Sequence, residues 1–600
     1  MREKYNLATQ VSFGNLSDDT IGFYIENLKK SGADLLLLSV CEFFCIGEER
    51  EKQLSDLKKY IGKFRDEGFE PVIWTNSLGW GEVRQGVFGE RFANSTVLRN
   101  FEGSLSGAVC SLDEVFSDAM AENVRDFIRA GAKTILWDDD LVQSVRPGAF
   151  CCCEKHLEKL KEKTGMDFTP EEVRDLFTGK PSRERSAYLE ITGESLYAFC
   201  RKMRKAADEL DCSVRMGLCA SYTHYDTEGV DIEKMISILA GEKSEPFFRL
   251  SGAAYWPVIA PRFPDQQLGD VMEFVRMQAS WLADSDILLL DENDPYPRDS
   301  ETVKPYYCEL YDKTVLTLPY ILRNKYFLCF KAGENKDGYL NAHIENIQRD
   351  AKIKKIFERT VPAGVRIFEA QRKLEDAHLP EKYEGHGKLM ADFSQPFSGV
   401  LFTRNCMPTA YVQSGAAVVF GENARHLNKS VTDSGMILDG SAADILADNG
   451  FDFGKPVNEY RDNEGNIFAR TYENSSGIRT ARLTFSASAR PFEEYSFFPS
   501  GKTVQDTLVE MYNFVSHNAP LPFVKYSPDI YTCVSADEAG GSFSVLLCNM
   551  GNEEKEDVTI EGFTADKILL ADGEWINDGG TLRCTVLHAH DFAAVKIKIR

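Results

Sequence analysis

No apolar run in this chain approaches the roughly 18–20 residues needed to cross a membrane. Short runs such as Leu35–Val40 have the length of buried strands. The opening residues Met1–Asn6 lack the basic start and apolar core of a secretion signal, so a cytoplasmic location is expected. Positive charge is in deficit: 69 Lys and Arg stand against 93 Asp and Glu, a net charge of −24. Nucleic acids and anionic membranes reward clustered cations, so neither is expected as a partner. Low-complexity tracts and internal repeats are missing as well. Cysteine is abundant, with fifteen residues, but they are scattered rather than spaced as a disulfide framework. Three are consecutive, Cys151 to Cys153, and neighbouring cysteines rarely reach disulfide geometry, which points to reduced thiols.

What is present is alternation. Strands are predicted over Leu7–Phe13, Asp34–Val40, Pro71–Thr75, Lys133–Trp137, Ser213–Leu218, Phe247–Ala254, Ile287–Leu290 and Tyr326–Phe330. Between them lie stretches with apolar residues at about 3.6-residue spacing, the period of an amphipathic helix. Eight strands with intervening helices are what a (β/α)8 TIM barrel requires. An open doubly wound sheet is the competitor, but no Gly-x-Gly-x-x-Gly follows the first strand. Residues 78–118 and 141–195 are too long for simple connections; as βα-loops they would lie on the catalytic face. The reading is therefore an α/β barrel domain over 1–370 and a charged linker over 371–388. An α/β unit follows over 387–520, with short strands at Gly399–Phe402 and Ala416–Phe420, and then an all-β sandwich over 521–600.

Two predicted strands end in carboxylates. Strand four runs into Trp137-Asp138-Asp139-Asp140, and strand seven into Asp291-Glu292-Asn293-Asp294. Adjacent carboxylates at a buried strand end repel and lose hydration, a cost that a proton or a metal relieves. Strand alternation places Asp138 and Asp140 on one face and Asp139 on the other. Two carboxyl centres in one barrel mouth are what glycoside hydrolysis needs, one to attack and one to protonate the leaving oxygen. Other strand ends supply aromatic and polar groups suited to a sugar: Trp74 and Asn76, Tyr222 and His224, Tyr255 and Trp256. Each taken alone is as well explained by packing.

Those two motifs resemble the clan A glycoside hydrolases, and among them the β-galactosidases of family 42 and their less-studied relatives. The resemblance places the nucleophile at Glu292 and likens Tyr296-Pro297-Arg298 to the loop that follows it, adding Tyr296 and Arg298 to the substrate-binding set. The clan's Asn-Glu acid/base motif is replaced here by the aspartates; mapped onto their end, Asp139 stands for the Asn and Asp140 for the acid. The domain order is also similar, which implies a flavodoxin-like α/β domain of the trimerisation type, a C-terminal β domain and a homotrimer. The implied activity is retaining exo-hydrolysis of a β-linked sugar, a β-galactoside first and a β-mannoside or β-glucuronide as alternatives, with no cofactor required.

Cys151, Cys153 and His156 form Cys-x-Cys-x-x-His, and Cys110 lies in the preceding long loop. Thiolates and imidazole at that spacing suit a structural zinc, with burial of small apolar residues as the competing reading. A similar cysteine cluster occurs in some family 42 members. Three other classes remain open: a Schiff-base aldolase using Lys331 after the predicted eighth strand, a divalent-metal hydrolase using the aspartates, and a non-catalytic sugar-binding protein.

Overall fold

In the computed structural model, which describes residues 5–40, 47–79, 92, 94–143, 150–221, 226–259, 266–334, 337–385, 389, 393–462, 464–487 and 498–600, the apolar runs close into a barrel. Its eight parallel strands are Leu7–Ser12, Leu35–Ser39, Glu70–Thr75, Thr134–Trp137, Arg215–Cys219, Phe247–Arg249, Leu288–Leu290 and Ile321–Asn324. They are paired in chain order, and the eighth pairs with the first. Two apolar layers hold them. Inside, Ala8, Leu37, Leu136, Phe247 and Leu290 fill the barrel. Outside, residues such as Val11, Ile73, Ile135 and Phe248 pack against the ring of helices. Gly217 on strand five leaves room for Phe247: a Cβ there would lie 2.6 Å from the Phe247 ring.

The eighth strand is not the apolar segment Tyr326–Phe330 but the mixed segment Ile321–Asn324 just before it. The reason is electrostatic. Arg323 points outward to Asp312 and Asp350, each at 2.9 Å, behind the barrel wall. Lys313 reaches Asp350 at 2.6 Å and Glu309 at 2.7 Å, and Lys325 reaches Glu309 at 2.7 Å. Three cations and three carboxylates thus neutralise one another in the dry layer between strand and helices, and the cations hold Glu309 down to about 2. Apolar Phe327 instead stacks on His343, with ring centroids 4.6 Å apart. Lys331 therefore ends no barrel strand; it is exposed, well past Asn324. The lysine that does follow the strand, Lys325, is spent on Glu309.

The long βα-loops carry folded structure. The third includes a hairpin of Val97–Arg99 with Leu105–Val109. The fourth includes helices Glu154–Thr164 and Pro170–Asp175 and leads into the long helix Arg183–Asp208. The segment read as a linker from 371 is docked on this insertion: buried Arg185 donates to the carbonyls of Leu374 and Ala377. Its charged composition concealed buried Leu374, Ala377 and Leu379.

A seven-stranded mixed sheet follows. Val365–Ile367 lies within it, between Thr409–Tyr411 and Ala417–Val419, so this sheet begins ahead of residue 387. Phe397–Thr403, which includes the expected strand Gly399–Phe402, is a helix; a short apolar run does not distinguish the two. Gly399 sits tight there, since a Cβ would meet Tyr411 Oη at 2.3 Å. The C-terminal unit packs a five-stranded sheet on a four-stranded one, and Thr360–Ala363 is the edge strand of the first. Glu273, on the barrel helix Leu268–Trp281, accepts from Thr409 Oγ1 at 2.6 Å, Tyr411 Oη at 2.8 Å and Tyr531 Oη at 2.8 Å, joining all three units. No described helix is long and apolar enough to cross a membrane.

The ion cluster behind strand eight should dominate local stability. Lys313→Met removes one cation from an inaccessible set of six charges and is expected to cost about 3–5 kcal/mol, read by chemical denaturation. A loss under about 1 kcal/mol would show that the carboxylates do not depend on it.

Candidate active site

At the carboxyl ends of the strands the barrel interior turns from apolar to ionic. Strand four stops at Trp137 and the chain turns, so strict alternation does not continue through the aspartates. Asp138 is fixed by its neighbours: its N–H donates to Thr75 O at 2.8 Å, and its carboxylate accepts from Trp74 Nε1 at 3.0 Å and Asp139 N–H at 2.9 Å. Asp140 turns away from the mouth. Its buried carboxylate accepts from Ser77 N–H at 2.8 Å, Ser77 Oγ at 2.7 Å and Gly79 N–H at 2.7 Å, which clamps the start of the loop after strand three. Burial and the Asp138 charge push Asp140 up to about 7. Its oxygens are committed to that loop. Asp139 has the more open side chain, 31% exposed against 14% for Asp138.

The residue that organises the mouth is one the sequence reading passed over. Arg249, the last residue of strand six, is fully enclosed, and its Nη2 lies 3.3 Å from Glu292 Oε1, 3.8 Å from Asp138 Oδ1 and 3.9 Å from Asp139 Oδ2. Its Nη1 donates to Tyr326 Oη at 2.8 Å, and its guanidinium carbon stands 5.5 Å from the Trp74 ring. A signal was available: an arginine two residues beyond inward-facing Phe247 must itself face inward. One cation faces three carboxylates, and the uncompensated negative charge adds to the proton affinity of Asp139 and Glu292. Burial and the Asp138 charge push Asp139 well above the usual carboxylate range. Burial lifts Glu292 to about 7, with Arg249 as the main opposing influence. Asp139, with a side chain 31% exposed, is also more open to a ligand than Glu292 at 9%.

Other candidates divide between mouth and core. Tyr255 and Tyr296 meet with ring centroids 5.6 Å apart, and Tyr296 is 52% exposed. Arg298 pairs with Asp294 at 3.0 Å and lies over the Tyr326 ring, stiffening the loop after strand seven. Asn76 is partly exposed next to the Asp140 clamp. Trp256 is a core residue, packed 5.6 Å from Phe274 between barrel and helix. Tyr222 and His224 lie outside the described residues.

The cysteine cluster is assembled in the two long loops. Cys110 Sγ lies 3.6 Å from Cys153 Sγ, and each sulfur lies 3.4 Å from His156 Nδ1. Cys151 completes a set whose donor atoms all fall within 4.8 Å of one another. Zinc–sulfur bonds of about 2.3 Å and zinc–nitrogen bonds of about 2.0–2.1 Å at tetrahedral angles put sulfurs about 3.8 Å apart and sulfur and nitrogen about 3.5 Å apart. The donors fit that spacing. His156 Nε2 contacts Ser195 Oγ at 3.3 Å, the outer partner that orients a ligating imidazole. The trio Glu309, Asp312 and Asp350 also clusters, but Lys313, Arg323 and Lys325 already neutralise it.

Solved structures place this architecture. A β-galactosidase from Bacillus circulans sp. alkalophilus superposes with a TM-score of 0.62 over 99% of each chain at 9% identity. A catalytic mutant of a GH42 β-galactosidase from G. stearothermophilus gives 0.61, covering all of this chain and 98% of its own, at 13% identity. The chain is similar in fold to family 42 β-galactosidases. α-L-Fucosidase isoenzyme 2 from Paenibacillus thiaminolyticus matches over the same extent, with a TM-score of 0.65, 10% identity and coverage of 99% of this chain and 100% of its own. No protein-family model matches the chain, and no curated protein matches it by sequence.

If Arg249 restrains the Glu292 carboxyl, its removal must raise that group's pKa. In Arg249→Met, the Glu292 titration, followed by carboxyl 13C NMR and assigned with Glu292→Gln, should move up by about one to three pH units. An unmoved titration would remove Arg249 from this role.

Proposed function

We propose that the chain is a retaining exo-β-glycosidase that releases a terminal β-linked sugar, with a β-galactoside as the first candidate. The observation that carries this reading is the bridge of Arg249 between Glu292 and Asp139. Legs of 3.3 Å and 3.9 Å keep one oxygen of each carboxylate within about 7 Å of the other, which admits the roughly 5–5.5 Å of a retaining pair. Full-length likeness in fold to β-galactosidases supports the same reading.

In the first step Glu292 attacks the anomeric carbon while Asp139 gives its proton to the departing oxygen. A glycosyl ester on Glu292 results. Asp139, now ionised, takes a proton from water as that water attacks the same carbon and frees the Glu292 carboxylate. Arg249 faces this carboxylate before and after, so it stabilises Glu292 as the leaving group of the second step. Asp138, with its carboxylate ordered by Trp74, can accept from sugar hydroxyls. Tyr255 and Tyr296 offer ring faces to the sugar or the group beyond it.

A second reading has its own support. The α-L-fucosidase matches over the same full length, and Asp139 is the more accessible carboxylate. In that case Asp139 attacks and Glu292 supplies the proton. A β-mannoside or β-glucuronide would leave the first assignment intact.

Nitrophenyl β-galactoside, β-mannoside, β-glucuronide and α-L-fucoside, tested on wild type, Glu292→Ala and Asp139→Ala, separate these readings. Turnover of a β-glycoside should fall by at least about a thousand-fold in Glu292→Ala, with azide restoring it and yielding the inverted glycosyl azide. Wild-type rates in Glu292→Ala would sink the assignment. Inverted azide product from Asp139→Ala on the fucoside would exchange the two roles, and silence across the panel would favour a sugar-binding protein.

We also propose a structural zinc on Cys110, Cys151, Cys153 and His156, outside the chemistry. Metal analysis should find about one zinc per chain, and Cys153→Ser should lose it and lower Tm. A zinc-free protein with an unchanged Tm would refute this. The proposal extends to a homotrimer, which a monomer mass in light scattering would overturn, and to a cytoplasmic location, supported by the thirteen described cysteines being outside any disulfide.

A further inference from the structure

The second domain contains a crevice that the proposed reaction does not use. Its five parallel strands, in chain order, are Val365–Ile367, Thr409–Tyr411, Ala417–Val419, Met436–Leu438 and Arg479–Leu483, arranged second, first, third, fourth, fifth. The chain therefore leaves the first strand toward one edge and then returns to build toward the other. Between the first and third strands the connections diverge, and ligands of open α/β sheets bind outside the carboxyl ends at such a switch point. Here that position holds a crevice of about 380 Å³, within the range of small-ligand sites.

We propose that this crevice is a second saccharide-binding site, separate from the barrel mouth. Its lining is the argument. Glu369, two residues beyond the first strand, is buried, and its carboxylate accepts from Ser398 Oγ at 2.6 Å and Asn423 Nδ2 at 2.7 Å. Phe397 and Phe420 supply aromatic faces, and Glu422 and His378 add polar groups at the rim. No lysine or arginine is among the described lining residues, and the cations beside them, Lys373 and Arg425, are already paired with Glu369 at 3.4 Å and Glu422 at 2.6 Å, so a phosphate would have to compete with those carboxylates. Aromatic faces beside carboxylate, amide and imidazole groups match a sugar ring, apolar on one face and hydroxylated at its edge.

The crevice is also held in shape. Buried Asp439 accepts from the N–H groups of Gly421 at 2.9 Å, Ala442 at 2.9 Å and Ala487 at 3.0 Å. These residues lie in the segments after the third, fourth and fifth strands, Ala442 in the first turn of the helix Gly440–Asp448, so one carboxylate ties together the segments that form the rim. Such a pre-formed site loses less ordering entropy when a ligand arrives.

The test needs the full chain and no assumption about catalysis. Crystals soaked separately in galactose, putrescine and inorganic phosphate should show galactose in the crevice and neither other probe there. Galactose density in the barrel mouth bears on the glycosidase reading and leaves this one untouched. Ser441→Trp, which fills the crevice from the segment after the fourth strand, should weaken galactose binding there by at least about ten-fold and leave nitrophenyl-glycoside turnover at the wild-type rate. An empty crevice in the wild-type soak, or one that takes putrescine or phosphate instead, overturns the proposal. The soak decides even if Ser441→Trp does not fold.

Discussion

One guanidinium, sealed under the barrel mouth, sets the terms for everything around it. Arg249 brings a permanent positive charge where three carboxylates would otherwise confront one another without water. A buried cation of this kind is tolerable only when anions surround it, and the anions are tolerable only because it is there. Trp74 and Tyr326 confine it on the sides that carry no charge. The site is thus a single electrostatic object, in which Asp139 feels the charges of Asp138, Arg249 and Glu292 together.

The same rule operates on the far side of the barrel wall with the opposite outcome. Behind strand eight, three cations and three carboxylates cancel, and the result is rigid and inert. In the mouth the balance is one against three, and the surplus negative charge adds to the proton affinity of Asp139 and Glu292. Structure and reactivity here differ by stoichiometry of charge rather than by kind of residue.

How much of this was legible in the sequence follows from the same physics. Apolar strands announced themselves wherever both faces of the sheet are buried by hydrocarbon, which is why seven of the barrel strands were found close to their observed positions. The eighth was displaced because Arg323 and Lys325 are buried as ions, and a hydropathy pattern reads ions as surface. Glu292 was visible because a carboxylate interrupts an apolar strand. Arg249 interrupts one in the same way, but its significance depends on carboxylates from strands four and seven, which only closure of the barrel brings to it. The assignment of Asp140 came from mapping a two-residue motif onto the end of the aspartate run, and such a motif does not record that the chain turns after Trp137. Residues 371–385 looked like a tether because their charges outnumber the few apolar side chains that dock.

Glu273 carries a consequence for how such a chain can change over generations. Its two oxygens are satisfied by hydroxyls from both appended domains, while the residue itself belongs to a barrel helix. Recombination that replaced either appended domain would leave an ion in the core with part of its coordination missing. Exchange of either appended domain is therefore tolerated only if the newcomer returns a hydroxyl to that carboxylate.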